Sequence, residues 1–157
     1  HAWGACGRRF KSSRPDHSFA HLLPMTSNSN NTTYFGLTIP FLAHLGVVPE
    51  YAEGGKSRIS LVIKPEFENS FQIAHGGVVM TLLDFAMGAA ARSTVNQQLG
   101  AMTIDMNVSF LRPSTGKIVV EGSVLKFGKT IYYCEAVVLN EAGEVTAKSS
   151  GTFMLRR

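Results

Sequence analysis

No run in this sequence comes near the ~20 consecutive apolar residues that a membrane-spanning helix requires, which argues against a helix of that kind. Cysteine is scarce too. Cys6 lies in the N-terminal stretch and Cys134 inside a strand-like run, so neither a disulfide framework nor a metal site is expected. Cys134 reads as a small buried apolar residue. Charge of one sign is missing from the body of the chain. Of the net +4, residues 1–24 hold Arg8, Arg9, Lys11 and Arg14 against Asp16 alone, and the other 133 residues carry 11 basic and 10 acidic side chains. A basic face able to neutralise many phosphates is therefore not indicated, and nucleic acid is not an expected partner. There is no internal repeat. What is present, 45% hydrophobic and 17% charged side chains over 157 residues, is enough for one soluble domain with a real core. The expected location is cytoplasmic.

Residues 1–33 show no sustained periodicity and end in a run of Ser, Asn and Thr, residues that favour turns and loops. A poorly ordered arm is expected there, with the folded domain over 34–157. Met25 is a candidate initiator with upstream sequence before it; an Arg/Ser-rich organellar transit segment is the other reading of the arm.

From Tyr34 the pattern sharpens. "FGLTIPFLAHLGVV" predicts a short helix ended near Gly46, then a strand around Val47 to Glu53, with Gly54 and Gly55 as a hairpin turn. "KSRISLVIKPEF" alternates at Ile59, Leu61 and Ile63 and stops at Pro65. A long helix follows the His75-Gly76-Gly77 turn. After it, Met102, Ile104, Met106, Val108 and Phe110 alternate with Thr103, Asp105, Asn107 and Ser109, which places the two sets on opposite faces of a strand. Three further strand patterns predict a four-strand antiparallel meander after the helix.

The long helix raises a question of charge. Between Val78 and Ala91 only Thr81 and Asp84 are polar, so the helix belongs in the middle of the domain. An isolated buried carboxylate is costly and gains a partner or is neutralised. The bland reading is a bond to Thr81 or a backbone N–H, or exposure to water; the functional reading is a general base. Asp84 shares its face with Met80, Thr81, Met87 and Gly88, a stripe of small and flexible residues that permits close approach by a backbone or ligand. Gly76 and Gly77 fit a tight loop-to-helix turn, and the free N–H groups of a first helical turn also attract developing negative charge. His75 reads first as structural and second as an acid or base. Gly76 and Asp84 are eight residues apart, about 12 Å along the axis at ~1.5 Å per residue, too far to act on one reacting centre. If both act in one site, they come from different subunits.

The spacing Asn69-x5-His75-Gly76-Gly77-x6-Asp84, followed by "MTIDMNVSFLRP" and "LKFGKT", resembles the hotdog-fold acyl-CoA thioesterases of the phenylacetate-pathway (PaaI-like) type over about residues 35–155. The resemblance implies an α+β hotdog fold, a curved antiparallel sheet wrapped around a long central helix, with subunits paired into dimers and often tetramers. It implies hydrolysis of an acyl-CoA thioester to a carboxylic acid and free CoA, with CoA as part of the substrate and no cofactor or metal. On matching positions, Asp84 resembles the general base or nucleophile, the Gly76 N–H the donor that polarises the carbonyl, Asn69 the residue that positions water or carbonyl, and Thr103 a residue that helps hold the water. His75 and Gly77 flank the donor.

Strand alternation puts Thr103 with Asp105 and Asn107 on the polar face, so Thr103 reaches such a site only through a bend or at a sheet end. The resemblance further places the CoA arm along Phe110, Leu111, Arg112, Pro113 and Ser114, and along Lys126, Phe127, Gly128, Lys129 and Thr130. There Arg112, Lys126 and Lys129 meet phosphates or are simply solvated. "FGKT" is not a phosphate-binding loop, because Gly122 and Gly128 enclose five residues rather than four and the segment joins two strands. A non-catalytic acyl-CoA sensor and an acyl thioester dehydratase or hydratase are the alternatives on the same fold. The acyl group itself is left open.

Overall fold

A computed structural model describes residues 32–95 and 99–156. All but the last two residues of the expected N-terminal arm, Met25 and Cys6 with them, lie outside the described residues.

The first helix of the described residues is short, α1 (Pro40–Leu45), with proline in its first turn and an end at Gly46. Gly46 stands at φ +77°, and its N–H bonds the Leu42 and Ala43 carbonyls, the left-handed stop that glycine makes cheaply. Strands β1 (Val48–Glu53) and β2 (Lys56–Val62) form the expected hairpin across Gly54 and Gly55. The long helix α2 runs Gly76–Ser93. Its Ala, Leu and Met content favours helix, and β-branched residues stop after Thr81. Then come β3 (Gly100–Phe110), β4 (Lys117–Phe127), β5 (Ile131–Leu139) and β6 (Val145–Arg156).

The six strands form one antiparallel sheet in the order β1-β2-β4-β5-β6-β3. The sheet curves around α2, which touches all six strands. Val79, Leu82, Leu83, Ala86 and Met87 of the helix pack with Ile59, Leu61, Ile118, Val120, Cys134, Val138 and Phe153 of the sheet in one core. Burial of each larger apolar side chain contributes roughly 1.5–3 kcal/mol. Among the described residues no helix is long and apolar enough to cross a membrane.

One expectation about order is corrected. Only β4, β5 and β6 form a meander; β3 pairs with β6 rather than β4 and occupies the far edge. The segment after β3 is not a hairpin turn. Leu111 and Arg112 donate their N–H groups to the Thr146 carbonyl, and the Ser114 carbonyl accepts from Ala74. The chain is thereby carried past the entrance of α2 before β4 begins, leaving β2 and β5 as the neighbours of β4.

Helix and sheet meet backbone to backbone at one point. A Cβ on Gly122 would lie 2.5 Å from the Ala86 carbonyl oxygen and 2.8 Å from Ser57 Oγ, while Ser57 Oγ donates to that same oxygen at 2.6 Å. No side chain fits there. Gly122→Ala is therefore expected to destabilise the fold by about 1–3 kcal/mol through overpacking, lowering Tm by several degrees in a thermal melt; an unchanged Tm contradicts this seating of the helix.

Candidate functional site

The acid in α2 has a specific partner. Thr103 Oγ1 donates to Asp84 Oδ1 at 2.6 Å, and Asp84 itself is half-buried. Neither Thr81 nor a backbone N–H holds it, since Thr81 Oγ1 donates to the Gly77 carbonyl at 2.9 Å.

Thr103 gets there by a break in strand alternation. The β3–β6 register runs Thr103 opposite Phe153 and then Asp105 opposite Thr152, leaving Ile104 as the extra residue of a bulge. Asp105 Oδ1 accepts the Thr152 N–H at 3.0 Å and so satisfies the donor beside the bulge. The bulge corrects the expected single apolar face. Met106 and Val108 pack against the core beyond it, Ala101 does so before it, and Met102 and Ile104 are exposed. A bulge re-aims side chains in this way. Its sequence signal was Gly151 inside β6, where a Cβ would lie 2.9 Å from the Asp105 carbonyl oxygen; an isolated strand glycine often marks a bulge or a close backbone approach.

At the other end of α2, His75 is the N-cap and its Nδ1 accepts the Gly77 N–H at 3.0 Å. This is the structural use of the side chain, and it occupies one ring nitrogen. The Gly76 N–H has no acceptor among the described residues. Gly76 and Asn69 line a cavity of about 370 Å³ with Phe110, Leu111, Arg112, Pro113 and Ser114. Asn69 Oδ1 accepts the Phe71 N–H at 2.8 Å, which leaves the amide nitrogen as the donor of that side chain. Within this group Ser114 is buried, and its hydroxyl bonds Thr146 Oγ1 at 2.7 Å. Arg112 Nη1 donates to the Val145 carbonyl at 2.9 Å.

Asp84 and Thr103 line a different cavity, of about 290 Å³, whose other walls include Phe85, Gly88, Ala101 and Phe153. The second set of expected substrate contacts lies toward this end. Lys126 and Phe127 end β4, and Gly128, Lys129 and Thr130 form the turn into β5; all five are exposed. Phe127 stacks on Tyr132 at 5.5 Å, and Tyr132 lies across the sheet from Phe153 and thus in line with Thr103. Phe110 instead pairs with Ala147, at the opposite end of β3. One chain therefore divides its candidate residues in two: Asn69, Gly76 and 110–114 at the helix entrance, Asp84, Thr103 and 126–130 two turns on.

Among the described residues no three His, Cys, Asp or Glu side chains cluster as a metal site requires. Burial pushes the Cys134 thiol up to about 12. The neutral thiol is favoured in the folded chain, so the reactive thiolate is withheld through the usual thiol range. In a Cys6→Ser background, Cys134 is expected to react far more slowly with thiol reagents between pH 7 and 9 in the folded chain than after denaturant unfolds it; native-state labelling as fast as that of the unfolded chain contradicts this.

Comparison with known proteins adds an independent finding. The profile of the Thioesterase superfamily matches residues 71–147, the stretch from the helix entrance to β6. A candidate esterase of Halobacterium salinarum is 35% identical over 112 residues, which are 68% of this chain and 74% of that protein. The human acyl-coenzyme A thioesterase 13 is 30% identical over 104 residues, 64% of this chain and 74% of that protein. Among solved structures, the E. coli PaaI protein from the phenylacetic acid degradation operon superposes with a TM-score of 0.70 at 21% identity, over 76% of this chain and 86% of that one. That likeness shows the fold.

Proposed function

The chain belongs to the thioesterase superfamily of hotdog-fold thioester hydrolases, and from that premise we propose that it hydrolyses acyl-CoA thioesters in sites that each combine residues of two copies of the chain. The observation that carries the reading is the division just described. The Asp84 carboxylate and the Gly76 N–H lie in separate cavities, held about 12 Å apart by an unbroken helix.

The sheet supplies a way to unite them. Strand β3 is an edge strand, and Met102 and Ile104 on it are exposed; such an edge is a template for pairing with another chain. Antiparallel pairing of two β3 strands about a two-fold axis lays the Thr103 end of one against the Phe110 end of the other. Each Asp84 is then brought toward the partner's helix entrance, giving two equivalent sites. Pairing of such dimers into a tetramer would use a surface other than this edge, which the dimer already fills. The name of the human relative supports CoA as the thiol carrier.

In this site the thioester carbonyl accepts the Gly76 N–H, and the Asn69 amide lies beside it. Thr103 holds Asp84 by one carboxylate oxygen, leaving the other to take a proton from water as its oxygen bonds the carbonyl carbon. The negative charge that develops on the carbonyl oxygen is met by the Gly76 donor at a helix N-terminus. Collapse breaks the C–S bond, and the departing CoA sulfur takes up the proton held by Asp84. The products are the carboxylic acid and free CoA. Arg112 from one copy and Lys126 and Lys129 from the other flank the path of the CoA phosphates. A base in this position also favours hydrolysis over a sensor that only binds, and the engagement of His75 as a cap disfavours a His-dependent dehydratase.

Three substitutions and a mixture test this. Asp84→Asn is expected to lower kcat by about 10²–10⁴, the usual worth of a general base. Gly76→Pro removes one N–H at the first helical position, where proline is tolerated, and is expected to cost about 10²–10³. Gly76→Ala keeps the donor, since its Cβ would meet only the Phe110 ring at 3.4 Å. Thiol release on an acyl-CoA reads these effects, and near-wild-type turnover by Asp84→Asn removes the assignment.

The cross-subunit arrangement is tested separately. Subunits carrying Asp84→Asn, unfolded and refolded with subunits carrying Gly76→Pro, are expected to regain activity, because each mixed dimer holds one site with both groups intact. No recovery, or an active monomer on sizing, rules out the shared site.

A further inference from the structure

The cavity beside Asp84 has a second end and a roof. Leu37, Ile39, Phe41 and Leu42, from the segment leading into and through α1, line one side of it, and Phe85 and Ala89 of α2 line the other. Asp84 stands toward one end and Arg92, in the last turn of α2, toward the other. The volume of about 290 Å³ lies just under the roughly 300–1,000 Å³ usual for ligand pockets. From Asp84 to Arg92 is eight residues, about 12 Å of helix axis. A saturated chain with carbon–carbon bonds of about 1.5 Å advances about 1.25 Å per carbon, so that length takes at most about ten carbons, and the Arg92 side chain at the far end leaves room for about eight.

The roof is tied down at identifiable points. Arg92 is 2% exposed, and its Nη2 donates to the Phe35 carbonyl at 2.6 Å. Phe35 stands at φ +51°, a left-handed conformation that a bulky residue keeps only where its surroundings hold it. Its ring lies parallel to that of Phe85, centroids 6.0 Å apart and planes 4° from parallel. Tyr34 meets the same Phe85 ring edge-on at 6.0 Å. Backbone bonds between Tyr34 and Leu37, 2.7 and 3.2 Å, close the turn. The strap is thus fastened to the neighbour of Asp84 and to the last turn of the same helix.

We propose that the strap Tyr34–Leu42, fixed by Arg92 through the Phe35 carbonyl, sets the acyl chain length, and that the substrates are straight medium-chain acyl-CoAs of about eight carbons. This rests on the reading that Asp84 stands beside the thioester carbonyl. Arg92 is a positioning residue, acting on the acyl group through the strap.

Binding and turnover are to be read separately on the full chain. S-alkyl-CoA thioethers, which are not hydrolysed, give Kd by calorimetry for the butyl, octyl, dodecyl and hexadecyl compounds. The matching acyl-CoAs give kcat/KM. Octyl is expected to bind tightest and octanoyl to turn over fastest. Ala89→Leu narrows the deep end and should raise the butyl-to-octyl preference about tenfold, the worth of roughly two methylenes. Arg92→Met keeps the unbranched apolar stem but removes the guanidinium donor, and should raise dodecyl against octyl about tenfold by freeing the roof. Arg92→Lys returns a donor and should move the profile back toward wild type.

Should Arg92→Met fail to fold, the wild-type profile and Ala89→Leu decide. A profile that keeps its shape in both variants overturns the proposal, as does a wild-type chain that binds the hexadecyl thioether as tightly as the octyl one. A full binding profile with turnover that survives Asp84→Asn instead overturns the role of Asp84 and leaves the chamber as described.

Discussion

The contact between the Ala86 carbonyl, the Ser57 hydroxyl and the bare backbone of Gly122 fixes α2 against the sheet, and everything functional in the chain is measured from that helix. With 18 residues and no proline, α2 has little freedom to bend once it is seated. Its entrance presents the Gly76 N–H and its middle presents Asp84, so a rigid rod holds the two groups of the proposed reaction apart. A shorter or kinked helix would let one subunit complete such a site. In the proposed mechanism this one calls for a second copy.

The sheet contributes two compensating irregularities. The bulge at Ile104 turns Thr103 toward Asp84, which gives the half-buried carboxylate its partner and fixes its orientation. The crossover that sends β3 to the far edge leaves that same strand with an unpaired side. Both features sit on β3, the strand at the sheet's far edge. The residue that orients the acid and the edge suited to receive a partner are thus parts of one strand.

Much of this was legible in the residues. The helix announced itself by composition, its entrance by His75-Gly76-Gly77, and its oddity by Asp84, since each is a local or periodic signal. The hairpin at Gly54 and Gly55 was equally local. Thr103 was harder: strict alternation points it away from the helix, and only Asp105 bonding across to Thr152 shows why alternation fails. The partner of Ser114 was hidden for a similar reason, since its hydroxyl meets Thr146, 32 residues away in the chain. The bond between His75 and Gly77 is local and fits the structural reading given first to that side chain.

By itself the sequence determined the helix, the strand segments, and the distance between Gly76 and Asp84 along one helix axis, because helical rise is a property of the backbone and does not wait for packing. The tertiary structure alone decided the strand order, the partner of the buried acid and the strap that Arg92 holds over the cavity. Each of these depends on which distant segments meet. Such meetings are set by shape and burial across the whole core, to which no short window of residues has access.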